Sequence, residues 1–263
     1  MIYKKIIFIV LVYGNYDDLE RFNESIPYDD SEYKLVVVDS YKDAQLTARG
    51  KCIADTIDAD FITVENKGYG SGNNAGIEYA AHKYNYDYIF ISNPDVEIKK
   101  IILEDIGDSE ILGPQVLTDS GKNQNPYYHK KETLGFKLLK KFSESDYSFW
   151  YYLYLLNHKI IKTIERIISK NKLKVTKVYA LHGSFYGMKR TTMERIIPIF
   201  NENMFLYSEE NHIAELAIMN SIDMIYDQNW IVYHHEDGSG SLNNNIKNKV
   251  MRKSLKVFFE TWY

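Results

Sequence analysis

Short apolar runs alternate with helical patterns along the first half of this chain, and that alternation limits the folds open to it. The runs occupy residues 6–12, 35–38, 61–64, 88–92 and 111–116, with helical patterns at 16–25, 44–57 and 74–83. The first run has no polar position and is rich in β-branched residues, so it reads as a strand buried on both faces. Strands separated by helices predict an α/β domain with a Rossmann-like, mostly parallel central sheet flanked by helices. Such sheets bind ligands outside the carboxyl ends of their strands. The residues expected there are 13–15, 39–43, 65–74 and 93–95, a polar, acidic and glycine-rich set.

The run at 6–12 also follows two lysines, as an export signal would, but it is short and meets Asp17 and Asp18 with no small-residue cleavage site between. No segment approaches the ~20 apolar residues that cross a bilayer. A single cysteine, Cys52, excludes an internal disulfide framework and fits a reducing compartment, so a cytoplasmic location is expected. With 263 residues, no internal repeat and no low-complexity linker, one domain over 1–263 is expected. A net charge of −4 gives no whole-protein attraction to nucleic acid or to an anionic membrane, so nucleic acid is not an expected partner and membrane contact needs a local patch. One such patch exists: residues 130–177 carry twelve Lys/Arg against four Asp/Glu around the aromatic stretch YSFWYYLYLL at 147–156. It reads either as a helical insertion with a solvated basic face or as an amphipathic element in peripheral contact with an anionic membrane.

The stretch ENKGYGSGNNAGIEYA, 65–80, contains a match to the dinucleotide fingerprint G-x-G-x-x-G/A at Gly70 to Ala75. Two strand runs precede it, whereas that fingerprint belongs in the first βα turn, and the next acid lies inside Asn93-Pro94-Asp95. A nicotinamide site is therefore a poor fit. The glycines remain suited to close backbone approach by a bulky anion, with a helix beginning near Asn73 directing free N–H groups at it. A plain capped loop would explain one glycine and one asparagine, but not the cluster. Asp95, on a proline-stiffened strand tip, suits a hard divalent cation shared with phosphate oxygens.

Several motifs, in order, resemble family 2 glycosyltransferases, in particular the rhamnosyltransferase-like branch. They are Val36-Val37-Val38-Asp39, the stretch from Asn66 to Ile77, Phe90 to Val96 with its Asn-Pro-Asp, Gly113-Pro114 followed by Asp119-Ser120-Gly121-Lys122, His182-Gly183-Ser184-Phe185 before Lys189-Arg190, and Asn201 to Glu210. The resemblance implies a GT-A fold with a nucleotide-sugar half at 1–126, a basic aromatic helical insertion at 127–178 and an acceptor half at 179–263. It implies that Tyr13, Asp39, Asn66, Gly70, Asn73 and Asn93 contact a UDP- or dTDP-linked sugar. Asp95, with His234 as a second ligand, would hold Mg²⁺ or Mn²⁺, and Glu210 beside Glu209 would be the catalytic acids. The activity implied is inverting transfer to a glycan or lipid-linked glycan in surface polysaccharide biosynthesis, at the inner face of the cell membrane. A noncatalytic nucleotide- or carbohydrate-binding module on the same fold is the alternative.

The residues themselves suit such chemistry. An acceptor hydroxyl needs a carboxylate to take its proton, and adjacent acids at a helix start are favoured by the dipole whether or not they are catalytic. His234 and His235 follow an apolar run and precede a glycine-serine loop at 236–241 that is expected to close over phosphate. His182 and His129 are assigned no role. Gly14 and Ser40 depart from the family pattern in the first half, and His212, Leu216, Ser221 and Gln228 depart from it beyond the acid pair.

Overall fold

The computed structural model describes residues 1–168, 174–235 and 244–263. Strand β1 (Ile2–Val12) runs through the middle of a sheet with its alternate side chains feeding two cores. Ile7 and Ile9 face one core, whereas Ile6, Phe8, Val10 and Val12 face the other, as the period of two requires. Its neighbours are β2 (Tyr33–Ser40) and β4 (Tyr84–Ser92), both parallel to it, and β3 (Asp60–Val64) lies parallel outside β2. The three helical patterns appear as α1 (Asp18–Glu24), α2 (Ala44–Thr56) and α3 (Tyr69–Lys83).

Among the described residues the sheet has nine strands, in the order β3-β2-β1-β4-β8-β6-β9-β5, with β7 (Val175–Val178) also on β9. The parallel character of the first four strands ends at β4, where β8 (Phe185–Lys189) joins antiparallel. Beyond it β6 (Glu110–Leu117) is antiparallel to β8 and parallel to β9 (Asp223–His234), and β5 (Val96–Lys100) closes the edge antiparallel to β9. The result is a mixed α/β sheet, wholly parallel only over β3, β2, β1 and β4.

Register then fixes the site. Val12 pairs with Asp39 and Val10 with Ser92, so the ends of β1, β2 and β4 share one rim. Ser92 also pairs with Phe185, and Val96 with His234, which bring the turn before β8 and the end of β9 to the same rim. Helices α4 (Thr133–Glu144), α5 (Phe149–Ile168), α7 (Glu209–Met219) and α8 (Asn244–Trp262) pack on one face; α6 (Arg190–Glu194) is a short turn after β8. Phe136, Leu139, Phe142 and Tyr154 from α4 and α5 belong to the main core, so the basic segment is built into the fold. Among the described residues no helix is long and apolar enough to cross a membrane.

Candidate active site

The glycine segment differs from its sequence reading in where the helix begins. α3 starts at Tyr69, so Gly70, Gly72 and Asn73 are helical residues rather than a loop. Packing explains why glycine stands there. A Cβ on Gly70 would lie 2.7 Å from the Phe200 Cβ, and one on Gly76 would lie 2.6 and 2.7 Å from Ile9 and Val38 methyls. Bare backbone lets α3 close on the sheet and on the 200s segment. Gly68 is needed for another reason, since its φ of 109° turns the chain into the helix and a Cβ would fall 2.2 Å from the Phe205 carbonyl oxygen. The Tyr69 N–H donates to that carbonyl at 2.9 Å, joining the helix entrance to the approach of α7.

A cavity of about 1220 Å³ opens at the rim, and both halves of the chain line it. Tyr13, Asn66, Asn93, Asp95, Glu209 and Glu210 all face it, so six of the residues singled out from sequence meet there. Asp39, Gly70, Asn73 and His234 stand behind that lining. Asp39 is fully buried, accepting hydrogen bonds from the Tyr16 hydroxyl at 2.5 Å and from Thr47 at 2.7 Å, while its neighbour Ser40 reaches the cavity. Asn73 is also fully buried and donates to the Tyr69 carbonyl at 3.0 Å. At the mouth the Lys42 ammonium lies 5.3 Å from the Tyr13 ring centre, within cation–π range.

Asp95 and His234 form the first reactive pair. His234 Nε2 is 3.3 Å from Asp95 Oδ1, and both side chains are buried. The Gln124 side-chain carbonyl lies 2.8 Å from His234 Nδ1, and with the ring proton on Nδ1 the Nε2 lone pair faces both the carboxylate and the Asn93 amide nitrogen, 3.4 Å away. Asp95 Oδ1 has no hydrogen-bond donor. Two electron-pair donors turned toward each other in a buried place fit a cation between or beside them. Among the described residues no group of three or more His, Cys, Asp or Glu could hold a metal. A cation here would take its remaining oxygens from diphosphate and water, the usual habit of Mg²⁺.

Glu209 and Glu210 form the second pair, on the first turn of α7. The chain enters through Tyr207 and Ser208, both left-handed with φ of 77° and 76°, a conformation costing roughly 1 kcal/mol or more per non-glycine residue. Burial, then the neighbouring Glu210 charge, push the Glu209 carboxyl up to about 8. Burial also raises Glu210, but the Gly183 N–H hydrogen-bonds it and favours its ionised form. Tyr69 donates its hydroxyl to the Gly183 carbonyl at 3.0 Å and so steadies that turn. Two adjacent acids thus have different surroundings, the arrangement that separates a proton acceptor from a proton holder.

Sequence reasoning passed over Lys42, Tyr69, Gly183 and His182, all of which line the cavity. His182 packs its ring 5.7 Å from that of His234 and accepts or donates at 2.9 Å to Ser184; burial first, then His234, press its pKa down to about 3. The one available signal was its place in the small-residue turn before β8. His235 turns away, to Asp119 at 2.7 Å and Glu97 at 3.3 Å. The glycine-serine loop at 236–241 lies outside the described residues.

Sheet order and structural likeness put the chain in one class, the GT-A glycosyltransferase fold. No protein-family model matches it. Over 94 residues the chain is 31% identical to the rhamnosyltransferase WbbL of Escherichia coli (strain K12), a match covering 35% of the chain and 34% of that relative. Over 127 residues it is 28% identical to the low-salt glycan biosynthesis hexosyltransferase Agl10 of Haloferax volcanii, covering 45% and 39% respectively. GalNAc-T7, solved with UDP, GalNAc and Mn²⁺, superposes on 94% of the chain with a TM-score of 0.60 at 12% identity, over 47% of its own length. S. aureus TarS superposes on 97% with a TM-score of 0.55 at 14% identity, over 43% of its length. The chain therefore spans less than half of each of these proteins. These likenesses bear out the motif-based resemblance to family 2 glycosyltransferases and their rhamnosyltransferase-like branch.

Proposed function

We propose that the chain is an inverting, metal-dependent glycosyltransferase. It moves a hexosyl or deoxyhexosyl unit from a UDP- or dTDP-linked donor to a glycan or lipid-linked glycan in surface polysaccharide assembly. The observation that carries this reading is the meeting of Asp95, backed by His234, with the acid pair Glu209 and Glu210 at one cavity built by both halves of the chain.

The donor's base packs on Tyr13 beside Lys42, above the floor that Asp39 and Ser40 form, and Asn66, Gly68 and Asn93 line the path of its sugar and phosphates. Gly70 and Asn73 serve that wall indirectly, by seating α3. Asp95 and His234 hold the cation, Mg²⁺ or Mn²⁺, which when bound supplies Lewis-acid stabilisation of charge on the departing diphosphate. The presence of UDP and Mn²⁺ in the GalNAc-T7 structure supports a nucleotide and a divalent ion on this fold. Glu210 takes the proton of the acceptor hydroxyl. Glu209, held protonated by its burial, donates to the acceptor and orients it. Attack from the side opposite the diphosphate inverts the anomeric centre.

A thermal-shift series with UDP and dTDP, each with and without Mn²⁺, followed by a donor-turnover assay, tests this reading. Ligand binding to the native state raises its apparent stability. Manganese-dependent stabilisation with turnover is the expected result. No response to either nucleotide would overturn the proposal, and binding without turnover of any donor would make the chain a noncatalytic binding module.

A further inference from the structure

Helix α5 turns several polar side chains inward and a row of apolar ones outward. Asn157 and His158 point at the buried Glu132, at 3.3 and 2.8 Å, and Lys162 reaches the Pro126 carbonyl at 2.6 Å. Phe149, Tyr152, Leu155, Leu156, Ile160 and Ile164 are between 41% and 67% exposed. Their three-and-four spacing puts them on one side of the helix. A helix facing only water carries the opposite polarity, and a continuous exposed apolar face of this kind marks an interaction surface.

The surroundings select the occupant. Lys159 lies on the same face, Lys141 sits over the Trp150 ring at 4.5 Å, and Lys247 lies over Tyr207 at 5.8 Å. Asn248 of α8 donates to the Ser148 hydroxyl at 3.3 Å, which ties the start of α8, with exposed Ile246 and Lys249, to the entry of α5, with exposed Tyr147 and Phe149. Among the described residues Lys141, Lys159, Lys247 and Lys249 have no ion-pair partner. Apolar side chains able to enter a headgroup layer, with unpaired lysines beside them, complement an anionic bilayer. The cavity extends to this same place: Tyr151, Leu155, Met251 and Leu255 line it, and Leu155 belongs also to the outward face.

We infer that the outward face of α5 docks on an anionic bilayer, and that the acceptor is lipid-borne, entering between α5 and α8 to reach Glu209 and Glu210. The acceptor half of this inference rests on the glycosyltransferase reading; the docking half does not. Because Phe136, Phe142 and Tyr154 are core residues, the test substitutes the exposed face and leaves the helices in place.

The full chain and the double variant Leu156→Glu/Ile160→Glu are sedimented with vesicles of phosphatidylglycerol and phosphatidylcholine, and with phosphatidylcholine alone. The wild type is expected to sediment with the anionic vesicles, and the bound fraction to fall roughly tenfold or more in the variant, with an unchanged melting temperature and an unchanged response to nucleotide. A wild type that stays in solution with both vesicles, or a variant that sediments like wild type, would overturn the docking. So would a wild-type dimer that the glutamates split without any vesicle binding, since a second copy would then cover the face. Titration with farnesyl phosphate reads the acceptor path: binding weakened severalfold by Leu155→Glu supports it, and absence of binding overturns it. Neither vesicle nor farnesyl phosphate binding requires a sugar donor, so failure here is distinguishable from failure of the nucleotide assay.

Discussion

The two walls of the cavity are built by different means. One wall is the rim at the carboxyl ends of the strands, where Tyr13, Asn93 and Asp95 follow directly from strand ends set by parallel register. The other wall is assembled from helix starts and turns, with Glu209 and Glu210 behind two left-handed residues and Gly183 held by Tyr69. On the first wall, small residues permit close packing; on the second, desolvation, the neighbouring charge and backbone hydrogen bonds tune the acids. Stability and chemistry therefore should respond to different substitutions.

The sharpest break should come at the seam of the two walls. Asp95→Ala is expected to lower kcat/KM by about 10³-fold, and to abolish the manganese dependence of nucleotide binding by calorimetry. Next in size is a purely structural lesion. Gly76→Val must displace methyls of Ile9 and Val38, and overpacking of this kind costs ~3 kcal/mol, read as a loss of unfolding free energy in urea with nucleotide affinity of the folded protein unchanged. Its counterpart on the other wall is Glu210→Gln, expected to reduce turnover by roughly 10²-fold while sparing both stability and donor binding. Full activity in that variant would remove Glu210 from the role of base.

Glu209 gives a pH signature. Its pKa is raised from 4.5 to about 8, so the folded state binds a proton that the unfolded state has released across that window. Stability should decline as pH rises from about 4.5 to about 8 and level off above, and Glu209→Gln should flatten that slope in melting temperatures. A slope unchanged in the variant would mean that Glu209 is ionised in the folded protein. The smallest effect is expected at the cavity mouth, where Lys42→Ala removes the cation over Tyr13 and should weaken nucleotide binding by about 1 kcal/mol, roughly fivefold.

Much of this arrangement was legible in one dimension because it depends on local period. The run at 6–12 became the doubly buried β1, Asn93-Pro94-Asp95 became the tip of β4, and Glu209 became the first residue of α7. Gly70 and Gly72 were placed ahead of the helix because glycine has a poor intrinsic helix propensity, which close approach to Phe200 and the sheet outweighs. His182 carried only the weak signal of a small-residue turn before β8; its place beside His234 follows from β8 pairing with β4 and β5 pairing with β9 at one rim of the sheet.

Alternating hydrophobicity and turn residues determined the parallel half of the sheet, the acid at its rim and the acid pair at a helix start, because those features are fixed by neighbours a few positions apart. Tertiary structure alone decided that Asp95 faces His234, that Glu209 and Glu210 share a desolvated wall, and that α5 shows its apolar side to the outside. Each of those depends on strand register and helix rotation set by the whole core, and burial is a property no short segment possesses before the chain has folded around it.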